Sequence, residues 1–152
     1  MTKKFIIYGV AGWGMEVLWT GIFSMFTGDT TLSGFTTLWM FPIYGCAVFL
    51  EHIHDIIRKW PFYIRGLLWV LIIYGIEYTS GLLLSRILGI YPWHYEGVLA
   101  IDGFVRLDYA PAWFVAGIFF ERMHDFLDRY QSCMACTQAE CMNFNNTQKN
   151  FK

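Results

Sequence analysis

The chain has 152 residues, a length that suggests one domain, and is 56% hydrophobic, 20% aromatic and only 15% charged. Ordinary soluble domains carry roughly 25% charged residues, and the apolar excess here is blocked into runs near the about 20 residues that a bilayer crossing needs. The net charge of −1 singles out no partner class, no basic stripe points to nucleic acid, and the four cysteines do not form a secreted disulfide framework.

Met1 to Lys4 is a short basic lead, and Phe5 to Phe26 is the first apolar run, interrupted by Glu16. It opens like a signal sequence but has no small-residue cleavage site, so it reads as a retained helix. Thr27 to Thr37 is a Gly/Thr loop, and Leu38 to Ile57 is the second run, with Pro42 in its first turn, where proline is tolerated. Arg58 to Pro61 makes a basic turn into the third run, Phe62 to Leu88, which holds Glu77. Gly89 to Asp108 is a longer loop rich in Trp, Tyr and Pro, as expected at a membrane interface. Tyr109 to Leu127 is the fourth run. Residues 1–130 are therefore read as a four-helix transmembrane domain, and 131–152 as a polar, disordered cytoplasmic tail.

Lysine and arginine set the orientation. Lys3, Lys4, Arg58, Lys59, Arg65 and Arg129 fall on one side, with only Arg86 and Arg106 near the other. Both termini are thus expected in the cytoplasm, in a multipass protein of the cell membrane.

Two stretches repeat. Glu51-His52-Ile53-His54-Asp55 and Glu121-Arg122-Met123-His124-Asp125 share the pattern Glu-x-x-His-Asp. On a helix these three side chains share one face. Gly34-Phe35, Leu38 and Pro42 recur 69 residues later as Gly103-Phe104, Leu107 and Pro111, while the Glu, His and Asp pairs are 70 apart. Glu16 to Gly21 loosely echoes Glu77 to Gly81. The expected fold is all-α: a polytopic membrane four-helix bundle of two duplicated helical hairpins, related by an axis along the membrane normal.

Each run carries one glutamate in its apolar zone: Glu16, Glu51, Glu77 and Glu121. An ionised side chain at mid-bilayer costs about 2.5–3.5 kcal/mol even on lenient scales, so four of them need a common explanation. Glu16 and Glu77 lie ten and eleven residues before Phe26 and Leu88, and Glu51 and Glu121 thirteen and twelve after Leu38 and Tyr109. These depths agree within about one helical turn. One glutamate from each of two helices, plus Glu-x-x-His from each of the other two, is the ligand set of dinuclear carboxylate bundles. The metal ligands would be Glu16, Glu51, His54, Glu77, Glu121 and His124, with Asp55 and Asp125 orienting histidines from the second shell. Four carboxylates would balance two divalent ions. Carboxylate and imidazole together favour Fe or Mn, with Zn also able to bind. The competing reading is plain stapling, with the glutamates protonated or paired with Arg65, Arg106 or Arg122; the two stand nearly level.

Other signals are weaker. Cys133-x-x-Cys136 with Cys141 lacks a fourth zinc ligand, and Asn145-Asn146-Thr147 is a chance glycosylation match in a cytoplasmic tail. His52, His94 and the seven tryptophans read as packing and interface residues. No glycine-rich phosphate loop is present, so the chain does not power transport by itself.

Gly12-Trp13 with Glu16-Val17, Leu38-Trp39-Met40-Phe41-Pro42-Ile43-Tyr44-Gly45, the Glu51 to Asp55 stretch, Trp60-Pro61, Ile76 to Gly81, Pro92-Trp93, and Arg106 through Asp125 resemble one known family. It is the ABC-transporter type IV, or CmpB-like, integral membrane proteins. The resemblance spans roughly Tyr8 to Leu127. It implies a transport setting and a separate ATPase subunit. The family pattern Pro-Trp-Asp-Tyr stands here as Pro92-Trp93-His94-Tyr95, which leaves no acid at that point.

Three functions are carried forward. One is a membrane metalloprotein with a dinuclear Fe or Mn centre, performing redox chemistry on a lipid-soluble substrate; whether it is an enzyme stays open. The second is a permease subunit or ion transporter using the same glutamates as a pathway. The third is a structural membrane protein. A homo-oligomer is compatible with all three.

Overall fold

The computed structural model describes the backbone of residues 1–149 and the side chains of residues 1–134. The Cys136, Cys141 and Asn145 side chains lie outside these. The chain divides into a first compact unit, Met1–Ile118, and a second formed from Phe119 onward.

The protein is mostly helical. Helix α1 spans Thr2–Phe26 and carries Glu16 without a break. It ends where the Thr27 hydroxyl turns back onto the Ser24 carbonyl (2.8 Å) and Gly28 takes a φ of +93°, a conformation that glycine adopts at no steric cost. The second segment is composite. It runs as α2 (Met40–Gly45), a 3₁₀ stretch (Cys46–Leu50) and α3 (Glu51–Ile57). Pro42 sits in the first turn, where its missing N–H removes no helical bond.

The turn at Arg58 to Pro61 is closed by the Trp60 amide on Ile57 (2.8 Å) and by Arg65 Nη1 on the Arg58 carbonyl (3.0 Å). Helix α4 follows at Phe62–Leu88 and stops at Gly89, whose left-handed φ of +66° is the usual helix terminator. Helix α5 spans Ala110–Lys149, so the backbone remains helical through the polar stretch 131–149.

The loop before α5 corrects the all-α reading in a small way. It holds an antiparallel hairpin, β1 (Ala100–Ile101) paired with β2 (Val105–Arg106), followed by a 3₁₀ turn at Leu107–Tyr109. Asp102 and Gly103 take positive φ at its tip, and Asp-Gly is a pair suited to such turns.

Among the described residues two helices, α1 and α4, are long and apolar enough to cross a membrane. Their outward faces stay apolar, with Val10, Leu18, Ile22, Leu67 and Leu71 all exposed. That suits a lipid solvent better than water.

Small residues let the helices of the first unit approach closely. Gly9 and Gly12 of α1 lie under the rings of Phe41 and Tyr44, and Gly45 of α2 lies under Phe5. Gly66 of α4 lies under Phe114 of α5, and Gly117 of α5 lies against Trp69. Such contacts replace the hydrophobic drive that lipid does not supply. Edge-on ring pairs, Phe62 with Phe114 and Trp13 with Phe41, fill the remaining space.

Candidate functional site

Glu16 and Glu77 come together. Both line a cavity of about 660 Å³ in the first unit, with Tyr44, Trp93, Tyr95 and Trp113 among its other walls. The lining is mainly apolar and aromatic, and includes no lysine or arginine among the described residues.

Glu16 is positioned by the strap after α1. Asp29 organises the start of that strap, accepting from the Thr31 amide (2.9 Å) and the Ser33 amide (3.3 Å). The chain then runs back along the helix. Gly34 presses against the Val17 carbonyl, the Phe35 amide donates to Thr20 Oγ1 (2.8 Å), and Trp13 Nε1 donates to the Thr37 carbonyl (2.8 Å). Between these fixed points the Thr36 hydroxyl donates to Glu16 Oε2 at 2.8 Å. Glu16 is half-buried.

Glu77 is held by the longer loop. Trp93 Nε1 donates to the Phe104 carbonyl (3.0 Å), and the Phe104 ring packs on Gly81, so the loop is pinned to α4. Tyr95 then reaches in, and its hydroxyl donates to Glu77 Oε1 at 3.2 Å. Burial, and after it the Glu77 carboxylate, push the Tyr95 phenol well above its ordinary range, so it remains a donor. Glu77 is only 7% exposed. Its Oε2 and Trp113 Nε1 are both buried, with Trp113 a second donor toward Glu77.

The remaining residues singled out in the sequence lie elsewhere. Glu51 does not line the cavity; it accepts from Lys4 Nζ (2.9 Å) and from the Tyr8 hydroxyl (2.8 Å). Tyr8 lies eight residues before Glu16, about 12 Å along α1, so Glu51 meets α1 at a different level. His54 is 4% exposed, and Asp55 is exposed and pairs with Arg58 at 3.3 Å. In the second unit Glu121 and His124 are each 3% exposed, with His124 Nε2 3.4 Å from Asp128. The Asp125 carbonyl there accepts from Arg129 Nε (3.1 Å). Among the described residues no three His, Cys, Asp or Glu side chains gather as a metal ion would require.

Arg65 bonds turn carbonyls, and Arg106 grips Asp108 through two bonds (2.8 and 2.9 Å), holding that carboxyl below the usual range. Lys4 is a basic partner of the half-buried Glu51. Sequence reasoning also missed Thr36 and Tyr95. Tyr95 had a signal: it closes the Pro-Trp-x-Tyr pattern, where attention went to the missing acid at His94. His94 is exposed and lies against Gly103.

With this geometry in view, one comparison decides the family. The family described as "Putative ABC-transporter type IV" matches residues 3–144. The chain belongs to that family. Its membrane association agrees with the two apolar helices, and the match takes in α1, the composite segment, α4 and most of α5. No solved structure matches the chain.

Proposed function

We propose that this member of the ABC-transporter type IV family is a multipass membrane subunit of a transport system. Its Glu16 and Glu77 cavity would receive a positive charge belonging to the cargo or to a coupling ion. Four crossings, cytoplasmic termini and a partner ATPase belong to this reading. So does descent from a duplicated hairpin. Phe5 seats on Gly45, and Phe114 seats on Gly66. By the offsets of the repeat, Phe5 answers to Gly66 and Gly45 to Phe114, with ring and glycine exchanged.

The observation that carries the proposal is two acids facing one cavity with no basic residue in its lining. In a lipid setting each carboxylate costs several kcal/mol unless a positive charge offsets it. Two such groups side by side make a site that favours cations.

The test is cation uptake by vesicles containing the protein with its copurified ATPase. The Glu16→Gln, Glu77→Gln double variant should lose uptake by at least about tenfold. Uptake persisting at the wild-type rate would remove these glutamates from the pathway.

A second reading keeps the dinuclear metal centre. It is supported by the repeated Glu-x-x-His pattern and by the burial of His54, Glu121 and His124. It expects about two Fe or Mn per chain, the stoichiometry of carboxylate bundles. Elemental analysis showing no metal, with stability unchanged by chelators, would end it.

A further inference from the structure

Resting on the cation reading above, we infer that the Glu16 and Glu77 cavity binds an organic ammonium ion carrying an apolar body. Four features of the cavity lead there.

The first is its size. About 660 Å³ falls within the range of small-molecule sites, roughly 300–1,000 Å³. A proton or a bare metal ion needs no such space. The second is the charge of the walls. Both acids face the cavity without a basic neighbour in the lining, so an anion would be repelled.

The third is the aromatic content. Trp19, Tyr44, Trp93, Tyr95, Tyr109 and Trp113 all contribute to the walls. A ring face attracts a cation within about 6 Å of its centre, and cages of such rings recognise alkylated ammonium groups. Tyr109 already receives one cation in this way: the Arg106 guanidinium lies 5.1 Å from its ring centre.

The fourth is the state of Glu77. It is only 7% exposed, with Tyr95 on Oε1 and Trp113 as a second donor toward it, so the side chains that bond it are neutral. A neutral lipid tail would leave its charge unmatched. A divalent metal would find no third acidic, imidazole or thiolate ligand gathered beside the pair among the described residues, and would have to complete its shell with water or phenol oxygens. An alkylammonium head needs only the charge of the two carboxylates and the ring faces. Its hydrocarbon body would then lie along the apolar remainder of the wall.

The experiment uses the full chain in detergent or lipid discs. Binding is read from tryptophan fluorescence and calorimetry. One probe is phenylbutyl-trimethylammonium; the other is its uncharged analogue with carbon in place of nitrogen. The charged probe should bind about 10- to 100-fold tighter than the neutral one. Glu77→Gln and Glu16→Gln should each erase much of that difference. Trp113→Leu should weaken the charged probe by about 3- to 30-fold, and Lys59→Gln, in the exposed turn outside the lining, should leave it unchanged. Reading both glutamine variants keeps the test decisive if one fails to fold.

Equal binding of the two probes would overturn the inference, and equal binding together with no glutamate-dependent binding of manganese would overturn the cation reading as well. Glutamate-dependent binding of manganese without binding of the ammonium probe would overturn the inference alone and leave the cation reading standing.

Discussion

Glu16 and Glu77 line one cavity, yet they are held by different means. Glu16 is half-buried and is bonded by an aliphatic hydroxyl, Thr36, from a short strap laid along its own helix. Glu77 is almost fully enclosed and is bonded by a phenol, Tyr95, delivered by a twenty-residue loop. The strap side spends a small hydroxyl and leaves Glu16 partly open. The loop side brings in bulk, which encloses Glu77. The two acids thus acquire different characters from their connections rather than from their helices.

The largest expected effects test whether the two hairpins share one packing logic. A methyl on Gly66 would meet the Phe114 ring at 2.0 Å, and one on Gly12 would meet the Tyr44 ring at 2.1 Å. Gly66→Ala and Gly12→Ala should each cost about 1–3 kcal/mol through overpacking, read as a drop in thermal midpoint in detergent. Gly14→Ala meets nothing within 4 Å and should gain up to about 1 kcal/mol from helix propensity. A loss confined to one hairpin would break the parallel.

Next come the two hydroxyls. Tyr95→Phe removes a bond to an enclosed carboxylate and should cost about 1.5–3 kcal/mol. Thr36→Val, beside the half-open Glu16, should cost only about 0.5–1.5 kcal/mol. Denaturation of the two variants side by side checks the order, and equal losses would show that enclosure does not distinguish the sites.

The smallest effect concerns the strap alone. The Thr31 hydroxyl and amide, followed by Ser33, hold the Asp29 carboxyl down from 3.8 to about 2. Because the folded value is the lower one, its contribution is full above pH 3.8 and fades as the pH falls through about 2. Asp29→Asn should flatten the acid limb of a stability profile in that window. It should leave the loop side unchanged, where the lowered carboxyl is Asp108, held by Arg106.

Much of the helix layout was legible in the sequence because lipid imposes a coarse rule: long apolar runs, punctuated by glycine, proline and charge. The expected start of the third run at Phe62 and its end at Leu88 coincide with α4. Glu16 and Glu77 were legible as residues needing an explanation, since an acid inside an apolar run is costly. The sequence grouped them with Glu51 and Glu121, however, and did not single out the two that share a cavity. What the sequence could not show was how loops return. Thr36 and Tyr95 reach their carboxylates only because Trp13 and Trp93 pin the chain to carbonyls. Depth along a run also misled for Glu51. A count of residues from Leu38 does not reveal that Lys4, from the basic lead, reaches it.

The 3₁₀ stretch Cys46–Leu50 has a consequence for the repeat. The span from Pro42 to Glu51 is one residue shorter than that from Pro111 to Glu121. Five steps at about 120° and four at about 100° sweep about 1,000°, the same as ten α-helical steps. The climb differs by only about 1 Å. Tighter coiling thus gives the acidic side chain of the shorter span the same angular bearing as that of the longer one.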